Sequence, residues 1–180
     1  MILETKRLIL RPWEECDAES LYKYAKDPNV GPIAGWPVHT SVDHSREIIK
    51  DVLSAENSFA VVLKEMQEAV GSISLMSSEH SNLDIGSDDV ELGYWIGVPF
   101  WGQGLIPEAA EALIQYGFDR LGVRNIWCGY FEGNDKSKRV QEKCGFKFHH
   151  TEKDKPWPLM GDIRTEQITC LTRQQWRHVK

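Results

Sequence analysis

One stretch restricts the possible folds more than any other. Residues Val90 to Val98 read as a strand that runs, with no linker, into Pro99-Phe100-Trp101-Gly102-Gln103-Gly104, and a strongly amphipathic helix starts there. In that helix Ala109, Ala110, Leu113, Ile114, Gly117, Phe118 and Leu121 recur at three- and four-residue steps, and Gly122 stands where a C-terminal cap is wanted. Glycines at 102 and 104 let the backbone turn tightly and come close to a ligand. The N–H groups of Gln103, Gly104 and Leu105 then converge at the positive end of the helix dipole, an arrangement that suits a pyrophosphate. The dinucleotide fingerprint is excluded, because its third glycine is replaced by Pro107, and the triphosphate loop is excluded because G-K-[ST] is absent. A glycine pair at such a turn also arises for steric reasons alone, so the motif does not by itself name a ligand.

The rest of the chain supplies a mixed sheet with helices. A strand at about Arg7 to Arg11 precedes a helix that Asp17 can cap, with Leu21, Tyr24 and Ala25 facing a core. Pro28, Gly31, Pro32, Gly35 and Pro37 make Asp27 to His39 an irregular connection. The next helix begins near Thr40 or Ser41 and places Ile48, Ile49, Val52 and Leu53 on one side. Phe59 to Leu63 and Val70 to Leu75 read as a hairpin, followed by a polar loop from Ser77 to Asp88. After the glycine turn and its helix come a strand from Asn125 to Phe131 and a helix that Asn134 can cap and Gly145 can end. Strands at Phe146 to Thr151 and Ile163 to Leu171 close the pattern around a loop holding Pro156, Trp157, Pro158 and Gly161. The expectation is an α+β fold, residues 1–180 forming a single domain with its core at about 7–172.

Composition excludes several classes. A hydrophobic fraction of 41% is enough for a proper core. A formal charge of -6 argues against a nucleic-acid partner, which needs a broad basic face, and mildly favours cationic ones. No stretch reaches the roughly 18 apolar residues of a membrane helix, and the first residues alternate like a strand, unlike a secretory signal. Cys16, Cys128, Cys144 and Cys170 form no C-x-x-C pair, which fits a reducing cytoplasm without disulfides or zinc. His39 with His44, and His149 with His150, lack carboxylate or thiolate company at ligand spacing, so no metal is expected.

Against that background the motifs become specific. Glu91-Leu92-Gly93-Tyr94-Trp95-Ile96, then Trp101-Gly102-Gln103-Gly104 and Pro107-Glu108-Ala109, resemble the acetyl-CoA-binding motif of the GCN5-related N-acetyltransferases (GNAT), in particular the branch of ribosomal-protein N-terminal acetyltransferases. Asn134, Ser137, Val140, Glu142, Lys143, Cys144, Gly145 and Phe146 resemble that branch's N-x-x-S-x-x-V-x-E-K-x-G-F stretch. Thr5-Lys6-Arg7-Leu8-Ile9-Leu10-Arg11 and Leu171-Thr172 with Trp176 extend the resemblance over nearly the whole chain. Two positions depart from it. Pro99 stands where the wider family often has Arg or Gln, which removes one pyrophosphate contact, and Gln141 stands where many members carry a tyrosine acid.

The resemblance implies a mostly antiparallel mixed sheet flanked by helices, with two splayed parallel strands, Val90 to Val98 and Asn125 to Phe131, that open around the pantetheine arm of acetyl-CoA. It implies pantetheine contacts from the backbone of Ile96 and Val98, an oxyanion donor from a backbone N–H of the first strand, and phosphate contacts from Gly102, Gln103, Gly104 and Leu105. Asn134 belongs to the same cofactor set, and Lys136 and Arg139 come from a basic cluster able to neutralise the nucleotide phosphates. Ser137 is the carried-over hydrogen-bond donor to the leaving thiol, with helix capping as its competing role. Glu91 is the candidate base, and a structural strand carboxylate is its alternative reading. Trp36, His39 and Tyr94 are candidates to line an acceptor pocket.

The expected reaction is direct attack of an amine on acetyl-CoA in a ternary complex, without a covalent enzyme intermediate, since no cysteine lies in a nucleophile motif. The expected acceptor is a protein N-terminal α-amine, such as that of a ribosomal protein. A polyamine, amino sugar or antibiotic amine is the alternative, and a non-catalytic CoA-binding module is the rival from another class. Oligomeric state and acyl-chain preference are not readable from the sequence.

Overall fold

The computed structural model describes residues 1–179. Eight strands form one sheet: β1 (Leu3–Glu4), β2 (Leu8–Arg11), β3 (Ser58–Leu63), β4 (Glu68–Ser77), β5 (Val90–Ile96), β6 (Asn125–Phe131), β7 (Lys147–Trp157) and β8 (Asp162–Thr172), in the order β1-β2-β3-β4-β5-β6-β8-β7. Every neighbouring pair is antiparallel except β5 with β6, which is parallel. The helices are α1 (Ala18–Ala25), the single turn α2 (Gly31–Ala34), α3 (Val42–Ile48), α4 (Leu105–Tyr116), α5 (Asp135–Lys143) and α6 (Arg173–Val179).

The pleat sorts the side chains into two cores. Leu8 and Leu10 of β2, Phe59 and Val61 of β3, Ile73 and Leu75 of β4 and Leu92 of β5 pack on α4 through Ala109, Leu113 and Ile114, with Phe118 just beyond it. On the other face Ala60, Val62 and Ala69 pack against Leu21 and Ala25 of α1, together with Trp13 and Ile49. The central strands β3 and β4 are therefore buried on both faces, which is why their sequence is a nearly continuous apolar run with little alternation.

Several local expectations are corrected. Asp17 holds the N-cap position of α1 but does not cap it. Its carboxylate takes both arms of the Arg11 guanidinium at 2.7 Å and the Glu14 N–H at 2.9 Å, bridging the end of β2 to the start of α1. The irregular segment after α1 contains the one-turn α2 closed by left-handed Gly35. Ser41 does cap α3, accepting from the His44 N–H at 3.0 Å. The helix then widens into a π turn over Ile49–Leu53, which leaves Ile49 buried at 3% exposure and rotates Val52 out to 55%. The strand before the glycine turn ends at Ile96, because Val98–Phe100 is a 3-10 turn. Strands β7 and β8 run further than expected and stay paired to Trp157 opposite Asp162, with Pro156 tolerated because β7 is an edge strand. The register shift between Glu152 and Lys155, where Asp154 has φ 53°, absorbs the interruption.

The Arg11–Asp17 pair has side chains only 19% and 8% exposed. Arg11→Met leaves a buried carboxylate without its cation and is expected to lower unfolding stability by about 3 kcal/mol. Urea denaturation checks it, and the double change Arg11→Met with Asp17→Leu is expected to recover most of the loss.

Candidate active site

The site begins with a mismatch between two half-sheets. Strand β5 follows β4 over its whole length from Val90 to Ile96, and β6 follows β8 from Asn125 to Phe131. Between them only Val90 with Ile126 and Glu91 with Trp127 remain in register. Beyond those pairs the strands part, leaving backbone groups that a continuous sheet would have paired. Three of the carbonyls are satisfied by side chains. Leu92 O accepts from Cys128 Sγ at 3.1 Å, Gly129 O from Gln141 Nε2 at 3.0 Å and Ile96 O from Trp101 Nε1 at 3.0 Å. Because Gly97 N–H goes to Val70 O of β4 at 2.8 Å, the alternation along β5 turns the N–H groups of Tyr94 and Ile96 the other way, into the opening.

At one end of the opening lies the glycine turn. Gly102 (φ 75°) and Gly104 (φ 72°) sit in the left-handed region, where a side chain would be strained. A Cβ on Gly102 would meet nothing within 4 Å, and one on Gly104 only Arg7 Nη2 at 3.8 Å, so the space above the turn is open. The bond from Glu108 N–H to Gly104 O, at 3.3 Å, leaves the amides of Gln103, Gly104 and Leu105 ahead of the helical ladder. Leu105 is buried and contributes its backbone only. The Gln103 side chain turns back to Pro99 O at 2.9 Å.

Arg7, which motif reading did not single out, holds this turn in place. It donates to Gln103 O at 2.9 Å and to Glu108 Oε2 at 2.7 Å, while Glu108 Oε1 accepts from Arg7 N–H and Thr5 Oγ1. Burial works against the Glu108 charge, but those hydrogen bonds outweigh it and hold the carboxyl below its usual range. Lys136 sits 4.2 Å over the Trp101 ring, so the start of α5 borders the same turn, and Arg139 lies exposed one turn further along. Asn134 caps α5 by accepting from Ser137 N–H at 3.2 Å. Val98 lies in the 3-10 turn, where its carbonyl accepts from Trp101 N–H at 3.1 Å.

The titratable candidates divide between the two faces of the sheet. On the α4–α5 face, Tyr94 Oη lies 2.7 Å from Ser137 Oγ. Gln141, 1% exposed, donates to Ser137 Oγ at 3.2 Å as well as to Gly129 O, and accepts from Thr169 Oγ1 at 2.8 Å. Burial pushes the Tyr94 phenol well above its ordinary pKa, so it stays protonated. On the α1 face, Glu91 is 8% exposed and accepts from Ser81 Oγ at 2.6 Å and Asn82 N–H at 3.2 Å. Burial raises its pKa, the Ser81 bond opposes that, and the charge of Glu166 adds to the rise.

The three acceptor-side candidates do not come together. Trp36 packs edge-on against Trp95 of β5 at 5.6 Å, on the Glu91 face, and His39 packs behind it at 5.4 Å. His39 is buried with Nδ1 2.8 Å from Ser45 Oγ, and desolvation with the nearby His44 lowers its pKa to about 4, so it is a neutral packing residue. Tyr94 faces the other way, toward Ser137, because it is one residue out of phase with Trp95 on the strand.

Comparison with known proteins agrees with this geometry. The acetyltransferase (GNAT) domain family model matches residues 7–147. The chain is 34% identical over 150 residues to the uncharacterized N-acetyltransferase p20 of Bacillus licheniformis, covering 81% of this chain and 82% of that one. Two solved structures share the fold: the ribosomal-protein-S5-alanine acetyltransferase from Vibrio fischeri (TM-score 0.75, 19% identity, 98% of each chain) and the Microcin C7 self immunity acetyltransferase MccE in complex with acetyl-CoA and AMP (TM-score 0.73, 20% identity, 93% of each). The chain belongs to the GNAT acetyltransferase family. It is an N-acetyltransferase, and the family's acetyl donor is acetyl-CoA. Among the described residues no helix is long and apolar enough to cross a membrane.

A β-branched residue at left-handed Gly104 is strained and would fill the open space above the glycine turn. Gly104→Val is expected to weaken acetyl-CoA binding at least tenfold by calorimetry, with the circular dichroism spectrum unchanged.

Proposed function

We propose that the protein transfers acetyl from acetyl-CoA to the α-amine of a protein N-terminus, with Glu91 as base and Ser137, supported by Tyr94, on the side of the departing thiol. The observation that carries the reading is the placement of these groups on opposite faces of one opening. A thioester lying between β5 and β6 meets a carboxylate on one side and a hydroxyl pair on the other. The Tyr94 N–H faces the opening where the thioester oxygen would gain charge, a hydrogen bond worth about 3 kcal/mol in acyl transfer. The pyrophosphate would rest on the amides of Gly102 to Leu105, with Arg7 and Lys136 adding positive charge in place of the contact that Pro99 cannot make.

The order of events follows from charge. The acceptor must lose a proton before it can attack, and a raised Glu91 pKa brings that carboxyl closer to the pKa of about 8 of an α-amine than an exposed glutamate would be. Attack forms the C–N bond, collapse breaks the C–S bond, and the thiolate leaves with a hydrogen bond from the Ser137–Tyr94 pair and is protonated by solvent. Likeness in fold to the Vibrio fischeri ribosomal-protein enzyme supports a protein terminus as acceptor. Amine-dependent release of CoA thiol, measured across peptides starting with alanine or serine and across polyamines and amino sugars, tests the choice; preference for a small amine overturns it.

The two catalytic roles have separable signatures. Glu91→Gln is expected to lower turnover about a hundredfold near neutral pH and much less at pH 9, where a larger share of an α-amine is already neutral. Since folding raises the Glu91 pKa, the acidic limb of kcat/KM in the wild type is expected above the usual carboxylate range, with activity falling as pH drops through it. Ser137→Ala and Tyr94→Phe are each expected to lower turnover about tenfold at every pH, because they remove a hydrogen bond and no titrating base.

A further inference from the structure

A second buried carboxylate stands across the opening from Glu91. Glu166 of β8 lies opposite Phe131 in the β6–β8 register and is 5% exposed. Its Oε2 accepts from Lys155 Nζ at 2.9 Å. Its Oε1 occupies the place that a Cβ on Gly129 would take, so residue 129 has no room for a side chain while this carboxylate lies against β6. Gly129 is itself on the wall of the opening, since its carbonyl accepts from Gln141. Among the described residues Oε1 has no hydrogen-bond partner, and because every fully buried side-chain nitrogen and oxygen has one, this oxygen is reached by solvent.

The two carboxylates are linked. Lys155 Nζ also donates to Asn82 O at 2.9 Å, and the N–H of the same Asn82 goes to Glu91. The charged groups around the pair are Glu91, Glu166, Glu152 and Lys155, with His150 3.5 Å from Glu152. The thiol of Cys128 completes the titratable groups near Glu91. Three carboxylates facing one lysine leave a deficit of positive charge in a desolvated place, and a protonated amine is the species that offsets it.

We infer that Glu166 is a substrate-binding residue that receives the acceptor as its ammonium ion through Oε1, holding it beside Glu91. The inference rests on the acyl-transfer reading for the reaction, and it accounts for a feature that reading leaves unused: a carboxylate oxygen aimed at the strand face with no internal partner. It also orders the steps, since the amine arrives charged and gives its proton up only after docking.

The test uses the whole protein labelled with carboxyl-13C glutamate, with n-butylammonium chloride as probe and n-butanol as its neutral counterpart. The probe's amine, with a pKa near 10.4 like that of lysine, is fully charged at pH 7. Saturable shifts of the Glu166 and Glu91 signals with the ammonium and none with the alcohol are expected. Glu166→Gln should raise the dissociation constant at least tenfold, Glu166→Asp should recover part of the affinity, and acetyl-CoA affinity should stay within twofold. In turnover with a cationic acceptor, Glu166→Gln should raise the acceptor KM at least tenfold and shift the acidic limb of kcat/KM to lower pH, as a like charge beside Glu91 is removed. Equal responses to alcohol and ammonium, or unchanged ammonium affinity in a folded Gln variant, overturn the inference. Because the binding measurement needs no turnover, an inactive pairing of enzyme and acceptor leaves it standing, and a Glu91→Gln variant with full activity refutes the base without touching it.

Discussion

Two strands that share a sheet for two residue pairs and then part company create everything else in this molecule. Backbone polar groups left without a strand partner are costly to bury, so a chain that opens its sheet has to satisfy them by other means. Here three carbonyls find side-chain donors in Cys128, Gln141 and Trp101. The N–H groups of Tyr94 and Ile96 on β5 are left facing the opening without a strand partner, and the proposed placement of the pantetheine arm would pair them as a missing strand does.

The fold and the local conformation of the glycine turn and its flanking helices were largely legible in the sequence, for a physical reason. The glycine turn, the amphipathic α4 and the Asn134 cap are local features, set by backbone conformation and helix periodicity within a few residues. The features that escaped depend on side-chain contacts outside the local helix or strand pattern, most of them between distant parts of the chain. Asp17 has the residue type of a cap, but a guanidinium six residues earlier claims its carboxylate. Tyr94 was grouped with Trp36 and His39 of the early loop as acceptor-pocket candidates, yet strand phase sends it to the opposite face, against a serine on α5. Glu166 left no trace, since its position is fixed only when β8 pairs with β6 and brings it over Gly129. Arg7 could have been noticed from its place in the opening motif, although its partners lie about a hundred residues away.

The departure at Gln141 also becomes intelligible. In place of a tyrosine from the helix, the chain puts a fully buried amide that ties α5 to β6 and β8, and the hydroxyl near Ser137 comes from β5 instead. Its burial keeps the Tyr94 phenol protonated, so what it offers is a hydrogen bond.

Cys128 carries a consequence of its own. In an enzyme whose donor is a thioester, a cysteine beside the splayed strands is a chemical hazard, since thiolates exchange readily with thioesters and would trap the acyl group on the protein. Burial pushes the Cys128 thiol well above its ordinary pKa, and its hydrogen points at Leu92 O, so hardly any thiolate exists to react. Burial at the point where the sheet splays thus also keeps this thiol unreactive toward a thioester.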